Sequence, residues 1–172
     1  MIGCIVQART GSSRLPDKAM KLLDEKHSIL HYVISQLQYS KLLDDIVIAT
    51  TDLKEDDIIV KFAQENGFKY FRGSEKDVLD RHYQCAKKFA FSTIVRIPSD
   101  KPLIDPQIVD KVVKVFTTSK YDYVSNFLHY TFPYGTEVEV FSFEALEKAW
   151  YLARLPSERE HVTPYIYNHK DK

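Results

Sequence analysis

The sequence has no surplus of charge of either sign. Its 172 residues carry 24 Lys+Arg and 24 Asp+Glu, so the formal net charge is zero. A chain-wide basic footprint for nucleic acid is therefore absent, although neutrality leaves room for a local anion site. Cysteine is scarce. Cys4 falls in an apolar run and Cys85 in a helical pattern far along the chain, which reads as two buried free thiols and fits a reducing cytoplasm. No apolar run approaches the ~18 residues of a membrane span, and no signal-peptide pattern precedes the first apolar run. A CxxC pair, a GxGxxG fingerprint and a Ser-His-Asp set on a nucleophile elbow are missing too, along with the chemistries they serve. No linker, repeat or low-complexity stretch divides the chain, and its length suits one domain.

What is present is a core and a rhythm. Hydrophobic residues make up 44% and aromatics 13%, enough to exclude disorder. Apolar runs of strand length, "MIGCIV", "DIVIATT", "KYFRG" and "STIVRIPSD", alternate with amphipathic stretches at helical spacing. Ser28 is a candidate N-cap for "SILHYVISQLQ". Asp52 and Glu55 form a candidate capping box, and Gly67 a C-cap, for "DLKEDDIIVKFAQENG". Asp105 followed by Pro106 starts another helix. "YDYVSN" and the strictly alternating "TEVEVF" are further strands, and "SFEALEKAWYLAR" and "SEREHVTPYIYNH" two closing helices, the last with Ser157 and Glu160 as a capping box. Strands alternating with helices predict βαβ units and an α/β fold with a mostly parallel sheet, with a mixed edge where the last strands lie close in sequence. In such sheets ligands bind beyond the carboxyl ends of the strands, so the loops that follow strands are the places to search.

The first such loop is "VQARTGSSRLPDK". Between Arg9 and Lys21 it carries Arg9, Arg14, Lys18 and Lys21 against Asp17 alone. Gly11 lets the backbone turn tightly, Ser12 and Ser13 add hydroxyl donors, and the cations suit polyphosphate oxygens. The loop lacks the Gly-Lys-Ser/Thr ending of a Walker motif. On spacing alone it is either a phosphate loop or a solvated basic surface. The second loop, "RIPSDKPLIDP", sets Asp100 at the end of a strand. That carboxylate is either a Mg²⁺ ligand, in company with phosphate oxygens, or a turn aspartate. Asp105 has a helix cap to serve. In the third, Asn126 ends a strand, and Glu137 and Glu139 share a strand face at period two, either as a cation or sugar-hydroxyl site or as a polar outer face. Arg72 and Ser74 follow a strand and face the same crevice. Asp77, Asp80 and Arg81 read as helix-surface charges, His27, His31 and His82 as surface or half-buried histidines, and Arg159 to His161 as a salt-bridged cap.

Taken in order, "VQARTGSSRLPDK", "IVIATT", "FRGSEKDVLDRHYQCA", "RIPSDKPLIDP", "YVSNFLHYTFPYGTEVEVFSFEALEKAW" and "SEREHVTPYI" resemble the spore coat polysaccharide biosynthesis protein F family. That family is cytidylyltransferase-like and related to the acylneuraminate and 3-deoxy-manno-octulosonate cytidylyltransferases. The resemblance implies a Rossmann-like three-layer α/β/α, glycosyltransferase-A-like nucleotidyltransferase fold over residues 1–172. It implies transfer of CMP from CTP to a sugar or sugar acid with release of pyrophosphate, and Mg as cofactor. It carries nucleotide binding onto Ala8, Arg9, Gly11, Ser12, Arg14, Lys18, Arg72 and Ser74. Lys18, Arg9 and Asp100 become catalytic residues, Asp100 the metal ligand, and Asn126, Glu137 and Glu139 the sugar side. No nucleic acid or membrane partner is implied. The aromatic "FLHYTFPY" is a candidate surface for a homodimer.

Two departures stand out. The family has Gly-Asp-Cys-Pro where this chain has Ser99-Asp100-Lys101-Pro102, which puts an ammonium beside the metal carboxylate. Relatives also continue to an Asp-containing segment with a second metal ligand, so a chain ending at Lys172 is expected to lack the C-terminal part of the family fold. Two other readings follow: a non-catalytic nucleotide- or sugar-binding module, and a glycosyltransferase, for which the Asp-x-Asp motif is missing.

Overall fold

The computed structural model describes residues 1–11, 15–129 and 132–169. Its strands are β1 (Ile2–Gln7), β2 (Asp45–Thr51), β3 (Lys69–Gly73), β4 (Thr93–Pro98), β5 (Tyr123–Ser125) and β6 (Glu139–Ser142). Its helices are α1 (Ile29–Leu37), α2 (Asp57–Glu65), α3 (Val78–Lys88), α4 (Pro106–Thr118), α5 (Phe143–Leu152), α6 (Pro156–His161) and α7 (Pro164–Asn168). They build one six-stranded sheet in the order β3-β2-β1-β4-β6-β5. The first four strands run parallel. β6 and β5 are antiparallel, the mixed edge expected of the last strands.

Alternation along the parallel strands splits the core in two. Cys4, Val6, Ile48, Val95 and Ile97 face one way, onto Leu30, Val33 and Ile34 of α1, Ile59 of α2 and Val109 and Val113 of α4. Ile5, Val47, Ala49 and Ile94 face the other way, onto Leu79, Tyr83 and Ala86 of α3 and Leu146 and Ala149 of α5. The result is the three-layer α/β/α sandwich. Both cysteines are free and buried, as their patterns predict.

Local signals set several boundaries. The Ser28 side chain accepts from the His31 N–H at the start of α1. Asp105 accepts from the Gln107 N–H, with Pro106 opening α4. Gly67 takes φ 69° just past α2, where a Cβ would be strained.

Four expectations are corrected. Asp52 and Glu55 form no capping box: a 3₁₀ turn over Lys54–Asp56 leads into α2, because the Asp56 carboxylate is recruited by the loop after β1. The last helix is two helices. Val162 has φ 73° and Pro164 restarts the chain, while the Glu158 carboxylate, not Ser157 with Glu160, accepts from the N–H groups of Arg154 (3.1 Å) and Leu155 (3.2 Å). "TEVEVF" does not alternate in burial, since Glu139, Val140 and Phe141 are all buried. Asp77, Asp80 and Arg81 are not free charges on the helix surface, and His82 is not at the surface. Arg81 and His82 are fully buried, Asp77 pairs with Arg159 of α6, and Asp80 accepts from the Trp150 indole of α5 at 2.8 Å.

Candidate functional site

The order of the sheet singles out one place. The chain runs outward from β1 through β2 to β3, then returns to the far side of β1 as β4. The switch point therefore lies between the carboxyl ends of β1 and β4. The loops leaving those two strands carry the basic motif and Asp100.

The first loop is anchored at its root. The Asp56 carboxylate, 1% exposed, accepts from the Thr10 N–H and the Thr10 hydroxyl through one oxygen, both at 2.7 Å, and from the Thr51 hydroxyl through the other. Ala8 prolongs the ladder by donating to the Ala49 carbonyl at 3.1 Å. The Asp17 N–H closes the loop onto the Thr10 carbonyl at 3.0 Å, with Asp17 itself left-handed at φ 55°. A short turn, Lys18–Met20, follows. Gly11 is not the hinge its motif position suggests: a Cβ there would meet nothing within 4 Å and its φ is not left-handed. Ser12 and Arg14 lie outside the described residues.

From that turn Lys18 reaches across the switch point, its Nζ 2.7 Å from Asp100 Oδ2. The other Asp100 oxygen is buried with no hydrogen-bond partner among the described residues. Asp100 thus offers one occupied and one open acceptor. No cluster of three or more His, Cys, Asp or Glu side chains that could hold a metal occurs among the described residues. A lone carboxylate with an open oxygen fits Mg²⁺ shared with phosphate oxygens and water, not an all-protein cage. Lys101 does not compete for Asp100. Its ammonium pairs with Glu137 at 3.0 Å, and the Gly135 N–H donates to the same carboxylate oxygen at 2.8 Å. Burial pushes the Glu137 carboxyl upward, but Lys101 and the backbone donors outweigh it and hold it below the usual range.

Arg9 lies on the other side, 3.7 Å from Glu75. Near it is Arg81, which helical spacing could have found: Val78, Arg81 and Cys85 form one buried stripe. Desolvation, then Arg9, lower the Arg81 guanidinium to about 10, against the pull of Asp56, Glu75 and Asp52. It stays charged at neutral pH.

Several residues expected at the ligand are committed elsewhere. Arg72 clasps the turn after β2: Nε donates to the Thr51 carbonyl (2.9 Å), Nη2 to the Leu53 carbonyl (2.8 Å), and Nη1 pairs with Asp57 (2.6 Å). The Ser74 hydroxyl accepts from the Asp77 N–H at 3.0 Å, shaping the entry to α3. Asn126 uses both ends of its amide to continue the β5–β6 pairing, accepting from the Val138 N–H and donating to the Thr136 carbonyl, both at 2.8 Å. Glu139, 4% exposed, is paired with Arg96 and accepts from the Tyr123 (2.9 Å) and Thr163 (2.5 Å) hydroxyls. Asn126 and Glu139 thus brace the β5–β6 edge: the Asn126 amide bonds backbone groups beyond the short ladder, and the Glu139 carboxylate ties together the side chains of Arg96, Tyr123 and Thr163. Glu137 stands just before β6 and faces Lys101 rather than sharing a strand face with Glu139. A cavity of about 940 Å³ lies away from Lys18 and Asp100, beside β5, among Tyr121, Tyr123, Leu128, Phe132, Tyr165 and Tyr167.

A family model described as cytidylyltransferase matches residues 3–172. An uncharacterized protein of Methanocaldococcus jannaschii is 47% identical over 163 residues, 95% of this chain and 65% of that protein. The chain therefore spans less than two thirds of that relative's length. The spore coat polysaccharide biosynthesis protein SpsF of Bacillus subtilis is 36% identical over 171 residues, 96% of this chain and 69% of SpsF. Among solved structures, a cytidylyltransferase from Leptospira borgpetersenii superposes with a TM-score of 0.91 at 35% identity, covering 98% of this chain and 71% of that one. A CMP-2-keto-3-deoxy-manno-octonic acid synthetase complexed with CTP shares the fold, with a TM-score of 0.72 at 15% identity over 97% of this chain and 85% of that one.

Proposed function

The chain belongs to the cytidylyltransferase family, and from that premise we propose that it transfers CMP from CTP to a hydroxyl of a sugar or sugar acid, releasing pyrophosphate, in the biosynthesis of a surface polysaccharide. The observation that carries this reading is the Lys18–Asp100 contact at 2.7 Å across the β1/β4 switch point. It pairs an anion-binding group with a metal-binding group where an α/β sheet takes its ligand.

The sugar hydroxyl oxygen attacks the α-phosphorus. The bond from that phosphorus to the bridging oxygen of pyrophosphate breaks, and the hydroxyl proton leaves to solvent. Most new negative charge appears on the leaving pyrophosphate. Lys18, released from Asp100, and Arg9, released from Glu75, are the cations that meet it, joined by Ser12 and Arg14 of the same loop. Gly11 supplies a backbone N–H group, whereas that of Ala8 is spent on the Ala49 carbonyl. Mg²⁺, held by Asp100 together with phosphate oxygens, would supply charge neutralisation on the polyphosphate. The chain's own task is positioning and electrostatic stabilisation.

The finer reading includes a cytoplasmic setting, which suits two free buried thiols. No helix among the described residues is long and apolar enough to cross a membrane. A homodimer through the segment around Leu128 and Tyr134, 44% and 79% exposed, completes it; sedimentation that finds only monomer removes that part. The deciding experiment is pyrophosphate release from each of the four nucleoside triphosphates, with a panel of sugars and sugar acids, with and without Mg²⁺. Metal-dependent release from CTP supports the proposal. Saturable CTP binding with no pyrophosphate from any acceptor overturns it in favour of a binding module.

A further inference from the structure

Gln7 is the last residue of β1 and stands in the switch point itself. It pairs with Pro98, the last residue of β4, and its carbonyl accepts from the Ser99 N–H at 3.0 Å. Arg9 lies two residues beyond Gln7 along one loop, and Asp100 two residues beyond Pro98 along the other. Alternation turns the Gln7 side chain to the same face of the sheet as Ile5 and Ile94, and Arg96 with it.

On that face the Gln7 carboxamide meets Arg96. Arg96 Nη2 donates to Gln7 Oε1 at 3.2 Å, and Arg96 Nη1 is held by the buried Glu139 carboxylate. A guanidinium carries donors only, so the amide has nothing but its oxygen to offer it. The amide is therefore fixed in one of its two flips, with Nε2 on the side away from Arg96. Nε2 makes no hydrogen bond among the described residues, and Gln7 is partly exposed. Holding a long side chain still costs rotamer entropy. Here that cost keeps two N–H donors ready at the carboxyl end of a central strand.

Lys18 and Arg9 turn to the leaving pyrophosphate in the proposed transfer, which leaves the α-phosphoryl oxygens without a side-chain donor. Those oxygens share the charge of the transition state. The reacting phosphorus lies between the cations of the first loop and the Asp100 carboxylate, and Gln7 is rooted between the same two loops. An amide suits that position. A further ammonium or guanidinium would pair with Asp100, as Lys18 does; an amide donates without a charge of its own.

We propose that Gln7 is a catalytic residue that donates from Nε2 to a non-bridging oxygen of the α-phosphoryl group as the sugar hydroxyl attacks. This rests on CTP being the donor, as proposed above. Arg96 is a positioning residue that acts through Gln7 Oε1.

The test compares wild type with Gln7→Met, which keeps the length of the side chain and loses both donors. The substrates are CTP and the two diastereomers of CTP that carry sulfur in place of one non-bridging α-oxygen. Gln7→Met lowers kcat about 10²–10³-fold, with little change in KM for CTP. Sulfur is a weak acceptor, so wild type turns over one diastereomer more slowly than CTP. In Gln7→Met that handicap disappears, while the other diastereomer keeps its ratio to CTP. A residue needed only as a brace for Arg96 would lower stability and leave both ratios as they are. The inference is overturned if Gln7→Met matches wild type in kcat, or if both ratios survive the substitution. Should Gln7→Met not fold, the ¹⁵N-labelled side-chain amide of Gln7 in wild type decides: CTP and CMP shift its resonance, whereas cytidine and pyrophosphate do not. Equal shifts from all four, or none from bound CTP, overturn the inference. A wild type that releases no pyrophosphate from CTP with any acceptor overturns the proposed function together with this inference, whereas an active wild type indifferent to Gln7 overturns the inference only.

Discussion

The Lys18 ammonium and the Asp100 carboxylate neutralise each other, 2.7 Å apart, with each side chain 38% exposed. Each is therefore held by the other until a ligand separates them. Lys18→Ala is expected to lower turnover by about 10²–10³-fold, the usual cost of one charge-stabilising donor. In the absence of nucleotide it should also bind Mn²⁺ more tightly than wild type, by a factor of about 2–5, because a competitor worth at most ~1 kcal/mol is gone. Paramagnetic resonance of Mn²⁺ titrations measures the second effect; weaker metal binding in Lys18→Ala would contradict it.

Asp100→Asn should reverse that pattern. Metal binding in the presence of CTP weakens and turnover falls about 10²-fold or more, while thermal stability stays within ~1 kcal/mol of wild type, since the lost pair is partly exposed. A large fall in melting temperature would mark Asp100 as a structural turn residue instead.

Glu139→Gln is a stability variant. The carboxylate is 4% exposed and serves Arg96, Tyr123 and Thr163. Breaking one partner of such a buried pair costs about 3–5 kcal/mol, or roughly 6–20 °C in melting temperature at this chain length. Calorimetry reads the loss. Acceptor KM in the remaining folded enzyme should not change; a selective rise in KM at unaltered stability would restore Glu139 to the sugar side.

Those contrasts show what the sequence made legible. Ser28, Gly67 and Asp105 act within a few residues of themselves, so their roles could be read directly. The basic loop and Asp100 could be placed at the switch point from the sequence because both follow apolar strands, and strand ends face the crevice whatever the details. Asn126, Glu139 and Arg72 were assigned to ligands because polar residues at strand ends resemble site residues. Only contacts from distant segments, such as Thr163 on Glu139, reveal their structural duties. Asp56 was missed for the same reason, since its partner Thr10 is 46 residues away. The break at Val162–Pro164 was missed, although a residue before proline resists helix.

The Glu137 carboxyl is held below its ordinary range in the folded protein, with Lys101 as the main lowering partner. A depressed carboxyl stabilises the fold fully above its unfolded value, about 4.3, and loses that contribution as pH falls through the lower folded value. Lys101→Ala should therefore be less stable than wild type at pH 6–7, by about 1 kcal/mol or less. The gap should close below about pH 4. Urea midpoints across pH 3–7 measure it; a gap independent of pH would show that packing, not charge, is what Lys101 contributes.

Burial raises both thiols above their ordinary range, Cys85 to about 12. Since the thiolate is the reactive form, neither cysteine should be alkylated by iodoacetamide at pH 8 until the protein unfolds. Rapid labelling of the native chain would show that one of them is reachable.

The hold of Asp56 on Thr10 has a consequence for how the protein comes to be able to bind anything. The root of the basic loop is set by a carboxylate on the far side of β2, and its flank by a ladder bond to Ala49. Contacts of that sequence separation form late, after the chain between them has closed. The arrangement of the loop's cations is then a property acquired with the tertiary structure and not carried by the motif. A peptide of residues 1–24 would hold the same cations in no fixed arrangement, and grafting the motif onto another strand would transfer its charge without its grip.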